Sequence, residues 1–216
     1  MNLDLFDSTE FKQPDVQLGS HAVILRSFAL ADAAQLLSDI RLITATAALR
    51  NMVTPNGHTM SVAVTNCGSL GWTSDRHGYR YTPRDPITNA AWPTLPPSFI
   101  TLAQRAASTA GFDNFQPDAC LINRYLPGTR MGLHQDKNER HFDAPIVSVS
   151  LGISATFLFG GMSRTAPVQR AALFHGDVAV WGGPDRLRYH GVAPLPATAH
   201  PLVGMQRFNL TFRRAG

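Results

Sequence analysis

Two stretches of the chain repeat apolar residues at helical spacing. One begins after Asp32, a residue type suited to an N-cap, and places Leu36, Leu37, Ile40 and Ile43 on one face. The other follows Pro97 and Ser98, carries Phe99, Leu102, Ala103 and Ala106, and is expected to stop at Gly111. Between them, residues 52–96 are rich in Gly, Thr, Asn, Pro and aromatics and read as short strands and loops. From Asp118 onward the pattern changes to that of strands: "ACLINRY" (119–125), "IVSVSL" (146–151) and "ATFLF" (155–159). "AALFHGDVAVW" (171–181) reads as two strands about a tight His-Gly-Asp turn, and "QRFNLTFR" (206–213) alternates most cleanly. Many short strands at close spacing, with helices only before them, predict a sandwich or jelly roll with a helical N-terminal layer.

Composition agrees with one packed domain. The chain has 216 residues, 44% of them hydrophobic, enough for a substantial core. The 17 Gly and 15 Pro suit turns between short strands. A formal net charge of +4 permits a nucleic-acid partner, although there is no long Lys/Arg run. Cys67 and Cys120 lack metal-type spacing and are too few for a disulfide framework, so a reducing compartment is expected. The segment "MNLDLFDSTE" has neither the basic nor the apolar region of a signal peptide. No run approaches the roughly 18 apolar residues of a membrane span. These features lead to the expectation of a cytoplasmic, monomeric protein without a membrane partner.

Chemistry is concentrated in "GLHQDKNE" (132–139). On a strand, residues two apart share a side, so His134 and Asp136 would face one point. An imidazole and a carboxylate are two-thirds of the 2-His-1-carboxylate set that holds Fe(II) and leaves positions open. The third ligand would be a distant histidine, with His141, His175, His190 and His200 as downstream candidates; His190 sits in a strand-like setting beside a glycine. Taken alone, His-x-Asp is more often a surface turn with a local hydrogen bond.

The last strand adds an independent clue. Arg207, Asn209, Thr211 and Arg213 share one face, and Phe208, Leu210 and Phe212 share the other. The apolar face belongs to a core. If the polar face lines a cavity rather than meeting solvent, its guanidiniums suit a dicarboxylate, which arginine grips through two hydrogen bonds. Asn123 and Tyr125, on one face of their own strand with Leu121, offer further hydrogen bonds.

A dicarboxylate beside Fe(II) is what a 2-oxoglutarate-dependent oxygenase requires. The sequence resembles the bacterial AlkB family of Fe(II)/2-oxoglutarate-dependent nucleic-acid demethylases. The resembling stretches are "MSVAVTNCGSLGW" (60–72), "FQPDACLINRYLPG" (115–128), "LHQDK" (133–137), "APIVSVSLG" (144–152), "HGDVAVWGG" (175–183), "YHGV" (189–192) and "RFNLTFRRAG" (207–216). They span nearly the whole chain and are specific together rather than singly.

The resemblance implies a mainly β fold with N-terminal helices: a double-stranded β-helix (jelly roll) over about 116–216, and a helical layer with a nucleotide-recognition lid over about 1–115. It implies iron ligands at His134, Asp136 and His190, and a 2-oxoglutarate pocket of Asn123, Tyr125, Arg207, Asn209 and Arg213. Arg207 would take the distal carboxylate and Arg213 the metal-bound end. Trp72, Tyr79 and Tyr81 would belong to the lid, with Trp72 and His134 sandwiching an extruded base and the tyrosine hydroxyls reaching phosphates. Arg164 matches a nucleic-acid contact, and Arg80, Arg84 and Arg130 would extend a basic track. Two positions depart from the family's pattern. Asn138 replaces an Asp on the amino edge of the damaged base, losing its charge, and Val64 replaces a Met in the lid.

The implied reaction uses Fe(II), 2-oxoglutarate and O₂ to demethylate N-alkylated bases such as 1-methyladenine and 3-methylcytosine, releasing formaldehyde, succinate and CO₂. Alkylated DNA, single-stranded by preference, is the expected partner, with RNA as a second nucleic-acid substrate. Two rivals are an oxygenase of the same core acting on RNA, a small molecule or a protein, and a non-catalytic nucleic-acid-binding jelly roll.

Overall fold

The computed structural model describes residues 13–216. Strands β1 (Val16–Gly19) and β2 (Ala22–Leu25) lead into helix α1 (Ala33–Thr46). There follow β3 (Arg50–Val53), the ten-residue β4 (Thr59–Gly68), β5 (Gly71–Asp75), β6 (Gly78–Thr82) and helix α2 (Pro97–Thr109). The remaining strands are β7 (Ala119–Tyr125), β8 (Met131–His134), β9 (Ile146–Gly152), β10 (Ala155–Phe159), β11 (Gln169–Leu173), β12 (Val178–Trp181), β13 (His190–Val192) and β14 (Arg207–Arg213).

The strands form an eight-stranded sheet in the order β1-β2-β12-β9-β14-β7-β4-β3 and a four-stranded sheet in the order β11-β10-β13-β8. Strands β5 and β6 form a hairpin of their own. From β7 onward each large sheet receives four strands, which is the expected double-stranded β-helix. The sequence division near residue 115 is no break in the structure. Strands β1 to β4 extend the larger sheet on both flanks, pairing with β12 through β2 and with β7 through β4.

Both helices lie on one face of the larger sheet. Leu36, Leu37, Ile40 and Ile43 of α1 and Phe99, Leu102, Ala103 and Ala106 of α2 share a core with Val147, Val149, Leu151, Leu210 and Phe212. The opposite face of β14 therefore looks away from the helices, toward the smaller sheet. Gly111 ends α2 as expected: its φ is +85° and its N–H donates to the Ser108 carbonyl. Asp32 does not cap α1. It takes helical dihedrals with no side-chain capping bond, and its carboxylate faces the Arg105 guanidinium at 3.3 Å instead. Among the described residues, no helix is long and apolar enough to cross a membrane. Cys67 and Cys120 face each other across β4 and β7 as buried free thiols.

The His-Gly-Asp turn joins two strands, but they do not pair with each other. Strand β11 lies on β10, while β12 lies between β9 and β2, so the turn carries the chain from one sheet to the other. Asp177 organises this crossover. Its buried carboxylate accepts hydrogen bonds from the Ser27 N–H (2.9 Å), the Phe174 N–H (2.8 Å) and the buried Arg26 guanidinium. Asp177→Ala leaves Arg26 charged and unpaired, and should lower stability by about 3–5 kcal/mol. Urea unfolding checks this, with an Arg26→Met/Asp177→Leu double variant recovering part of the loss.

Candidate metal centre and nucleic-acid cleft

Strand β8 is one of the two edges of the smaller sheet, and β13 is its neighbour. Their antiparallel register sets His190 directly opposite His134, with ring centroids 4.4 Å apart. A Cβ at Gly191 would lie 2.6 Å from the Met131 carbonyl oxygen, so glycine is what lets the two strands close. Asp136 is not on a strand. It lies in irregular chain two residues beyond β8, so a shared strand face is not what brings it to His134. It is anchored instead. The Arg213 guanidinium donates to Asp136 Oδ2 through Nε (2.8 Å) and Nη2 (2.5 Å), and the Arg186 guanidinium donates to the Asp136 carbonyl (2.9 Å).

The three side chains converge. Asp136 Oδ1 is 3.6 Å from His134 Nε2, and its Oδ2 is 3.7 Å from His190 Nε2. All three potential ligand atoms lie within 4.8 Å of one another, the one such group among the described residues. The other candidates lie elsewhere: His141 faces Asp143, and His175 packs on His200.

The donor set fits a divalent iron on its own chemistry. His134 Nδ1 lies 2.9 Å from the Gly132 carbonyl oxygen and His190 Nδ1 lies 3.0 Å from that of Arg188. Each ring nitrogen there must donate, which leaves both Nε2 lone pairs free to ligate. Burial disfavours the ionised carboxylate of Asp136, but Arg213 and then the two imidazoles outweigh it, holding the group well below the usual carboxylate range. Burial, with His134 beside it, pushes His190 down to about 3, so it is a neutral ligand.

Beside the triad, a pocket of about 50 Å³ opens between the two large sheets. Its walls include Asn123 and Tyr125 of β7 and Arg207, Asn209, Thr211 and Arg213 of β14. Both arginines are buried, so the polar face of β14 meets the cavity and not solvent. Arg207 Nε and Nη1 and Asn123 Oδ1 are buried without a hydrogen-bond partner. Unpaired buried guanidinium N–H groups on a pocket-lining arginine are what an anionic ligand would satisfy. Arg207 also lies over the Tyr125 ring, 5.1 Å from its centroid. Burial raises the Tyr125 phenol, keeping it a neutral donor.

A larger cleft of about 450 Å³ shares His134, Met131, Leu121 and Arg213 with that pocket. Trp72 and Tyr79 of the hairpin stack at its wall, with centroids 5.7 Å apart and planes 15° apart. Asn138, Arg130, Lys137 and Arg164 line it as well and are exposed. Three expected features fall elsewhere. Tyr81 turns its hydroxyl away to donate to the buried Glu139 at 2.7 Å. Arg80 is paired with Asp75 at 2.6 Å and Arg84 donates to the Asn89 carbonyl, so of the expected basic track only Arg130 joins Arg164. Val64 is not on the hairpin but is fully buried on β4, opposite Asn123.

Residues passed over in the sequence complete the site. Ser150 accepts a hydrogen bond from Arg207 (3.0 Å), Ser148 accepts one from Asn209 (2.8 Å), and Thr211 donates to Asn209 (3.0 Å). The alternation of serines within "IVSVSL" was the available signal: two hydroxyls on one face of an otherwise apolar strand. Glu139 and Arg186 had no comparable signal.

Comparison with known proteins agrees with this geometry. The model of the 2OG-Fe(II) oxygenase superfamily matches residues 21–213. The chain is 57% identical over 215 residues to the alpha-ketoglutarate-dependent dioxygenase AlkB of Escherichia coli (strain K12), covering 99% of this chain and 98% of that protein. It is 56% identical over 214 residues to the protein of the same name from Salmonella typhimurium, again covering 99% and 98%. The solved structure of OsALKBH1 superposes with a TM-score of 0.81 at 25% identity, covering 93% of this chain and all of that one.

The state of His190 makes a testable statement about pH. Folded His190 stays neutral down to about pH 3. In the unfolded chain an unperturbed histidine takes a proton below about 6.5. The unfolded state therefore binds more protons in this window, and the contribution of His190 to stability is lost as pH falls from about 6.5 toward 3, at up to about 1.4 kcal/mol per unit. In the metal-free protein, His190→Asn should flatten the decline in unfolding free energy between pH 6.5 and 4.

Proposed function

The chain belongs to the 2OG-Fe(II) oxygenase superfamily and, within it, to the AlkB dioxygenases, and from that premise we propose that it removes N-linked alkyl groups from DNA bases by oxidation. It is a dioxygenase that depends on Fe(II) and 2-oxoglutarate. His134, Asp136 and His190 would hold the metal through two Nε2 atoms and one carboxylate. Fe(II) bound there would, with 2-oxoglutarate and O₂, supply the oxidising power to hydroxylate an N-methyl carbon, which would leave as formaldehyde while the co-substrate became succinate and CO₂.

The protein's own part is binding and orientation. The unpaired N–H groups of Arg207 take the distal carboxylate of 2-oxoglutarate, with Ser150 fixing the guanidinium from behind. Arg213, already hydrogen-bonded to Asp136, stands at the metal-proximal end. Asn123, Tyr125 and Asn209 supply the remaining polar wall. An extruded base enters the larger cleft, where Trp72 offers a flat face across from His134 and Tyr79 backs the tryptophan. Arg130, Lys137 and Arg164 face the phosphates. A methyl on the pairing edge weakens the base pair, so extrusion is cheapest for 1-methyladenine and 3-methylcytosine and for single strands. Asn138 meets the base edge with a neutral amide that both donates and accepts.

The observation that carries this reading is the meeting of the two pockets at His134 and Arg213, beside the three convergent ligands. The decisive assay is formaldehyde release from oligonucleotides carrying 1-methyladenine or 3-methylcytosine. Release that depends on lesion, Fe(II) and 2-oxoglutarate, greater for single-stranded DNA than for duplex, is expected; lesion-independent or absent release rejects the repair reading. Trp72→Ala should abolish base repair while 2-oxoglutarate is still consumed, which separates base recognition from an oxygenase with another substrate. Arg207→Lys keeps the charge but loses the planar fork, and should weaken 2-oxoglutarate binding about 10–100-fold, as measured by calorimetry.

A further inference from the structure

We infer that Tyr81 and Glu139 are positioning residues for the ligand Asp136, and that through them the β5–β6 hairpin and the metal centre stabilise each other. The inference rests on reading His134, Asp136 and His190 as the metal site. Four buried charged groups stand behind that site: Asp136, Glu139, Arg186 and Arg213. Arg213 holds the Asp136 carboxylate and Arg186 holds its backbone carbonyl, so the ligand is gripped from two sides. Glu139 is common to both grips. Its Oε1 is 3.3 Å from Arg213 Nε, and its Oε2 is 3.4 Å from Arg186 Nη2. Two carboxylates and two guanidiniums leave the cluster neutral, which is what makes its burial tolerable.

One contact links this cluster to the hairpin. The Tyr81 hydroxyl donates to Glu139 Oε1 at 2.7 Å, whereas Glu139 Oε2 has no hydrogen bond. The hairpin is a separate two-stranded sheet. Its other side-chain hydrogen bonds to residues outside the hairpin run to Asn66, Val53, Arg84 and Trp92, away from the metal ligands. Withdrawing Tyr81 leaves Glu139 with no hydrogen-bond donor but the guanidiniums, and any shift toward Arg213 competes directly with Asp136 for its Nε–H. Hairpin position is thereby expressed as the orientation of a metal ligand. Binding linkage is reciprocal, so an ion that fixes Asp136 must also favour the docked hairpin.

Co(II), whose visible absorption reports coordination, serves as the metal probe, with wild type, Tyr81→Phe, Glu139→Gln and, as a control on the same hairpin, Tyr79→Phe. Wild type should bind Co(II), and Tyr81→Phe and Glu139→Gln should each raise its dissociation constant by about tenfold or more, the usual effect of losing a partner behind a ligand. Tyr79→Phe should leave it unchanged. Hydrogen exchange at residues 71–82 should slow when Co(II) is added to wild type, and less so in Tyr81→Phe. Failure of wild type to bind Co(II) overturns the metal site itself. Normal Co(II) binding by Tyr81→Phe and Glu139→Gln overturns the positioning role alone, including the case where both lower the metal-free unfolding midpoint and act only as packing. Should Tyr81→Phe not fold, Glu139→Gln and wild-type exchange decide: Co(II) affinity unaltered by the former, or a hairpin indifferent to Co(II) in the latter, rejects the inference.

Discussion

The site depends on one ion pair, Arg213 on Asp136. Asp136 has no strand to fix it and sits where burial alone would favour the neutral acid. A protonated carboxyl is a poor ligand for a divalent cation, so the carboxylate must stay ionised in a dry place. Arg213 achieves this by charge and by geometry, with two hydrogen bonds to one oxygen. The arginine can be there because β14 is the central strand that turns its polar face to the space between the sheets. The same strand carries Arg207 and Asn209, so the carboxylate of the metal set and the wall of the anion pocket share one scaffold.

What was legible in the sequence follows from what periodicity encodes. Helix α2 and its glycine stop, the apolar faces of both helices, and the alternation of β7 and β14 depend on local spacing, and each was readable. The capping role expected of Asp32 was not realised, because a charge from the other helix competes for the carboxylate. The histidine pair depended on register between β8 and β13, strands more than fifty residues apart, which no local pattern specifies. It became readable only through the resemblance of several motifs at once. Tyr81 shows the limit of that route. Its family position places it in the lid, and only coordinates reveal that its hydroxyl faces inward to Glu139.

The two pockets divide recognition by size and polarity. The small one is lined by buried donors, suited to a short dianion. The large one is walled by stacked aromatics and fringed by exposed basic groups. Asn138 lines the large cleft and not the small one, so the residue proposed to meet the base edge stands apart from the walls of the small pocket.

Strand β14 follows every other described strand in chain order, yet it lies in the middle of the larger sheet, between β9 and β7. A polypeptide emerging from the ribosome cannot complete that sheet until residue 213 is free to enter it, and it lacks both pocket arginines until then. An interrupted product lacks the strand that supplies Arg207, Asn209, Thr211 and Arg213 to the pocket wall. The topology thus ties completion of the larger sheet to completion of the pocket.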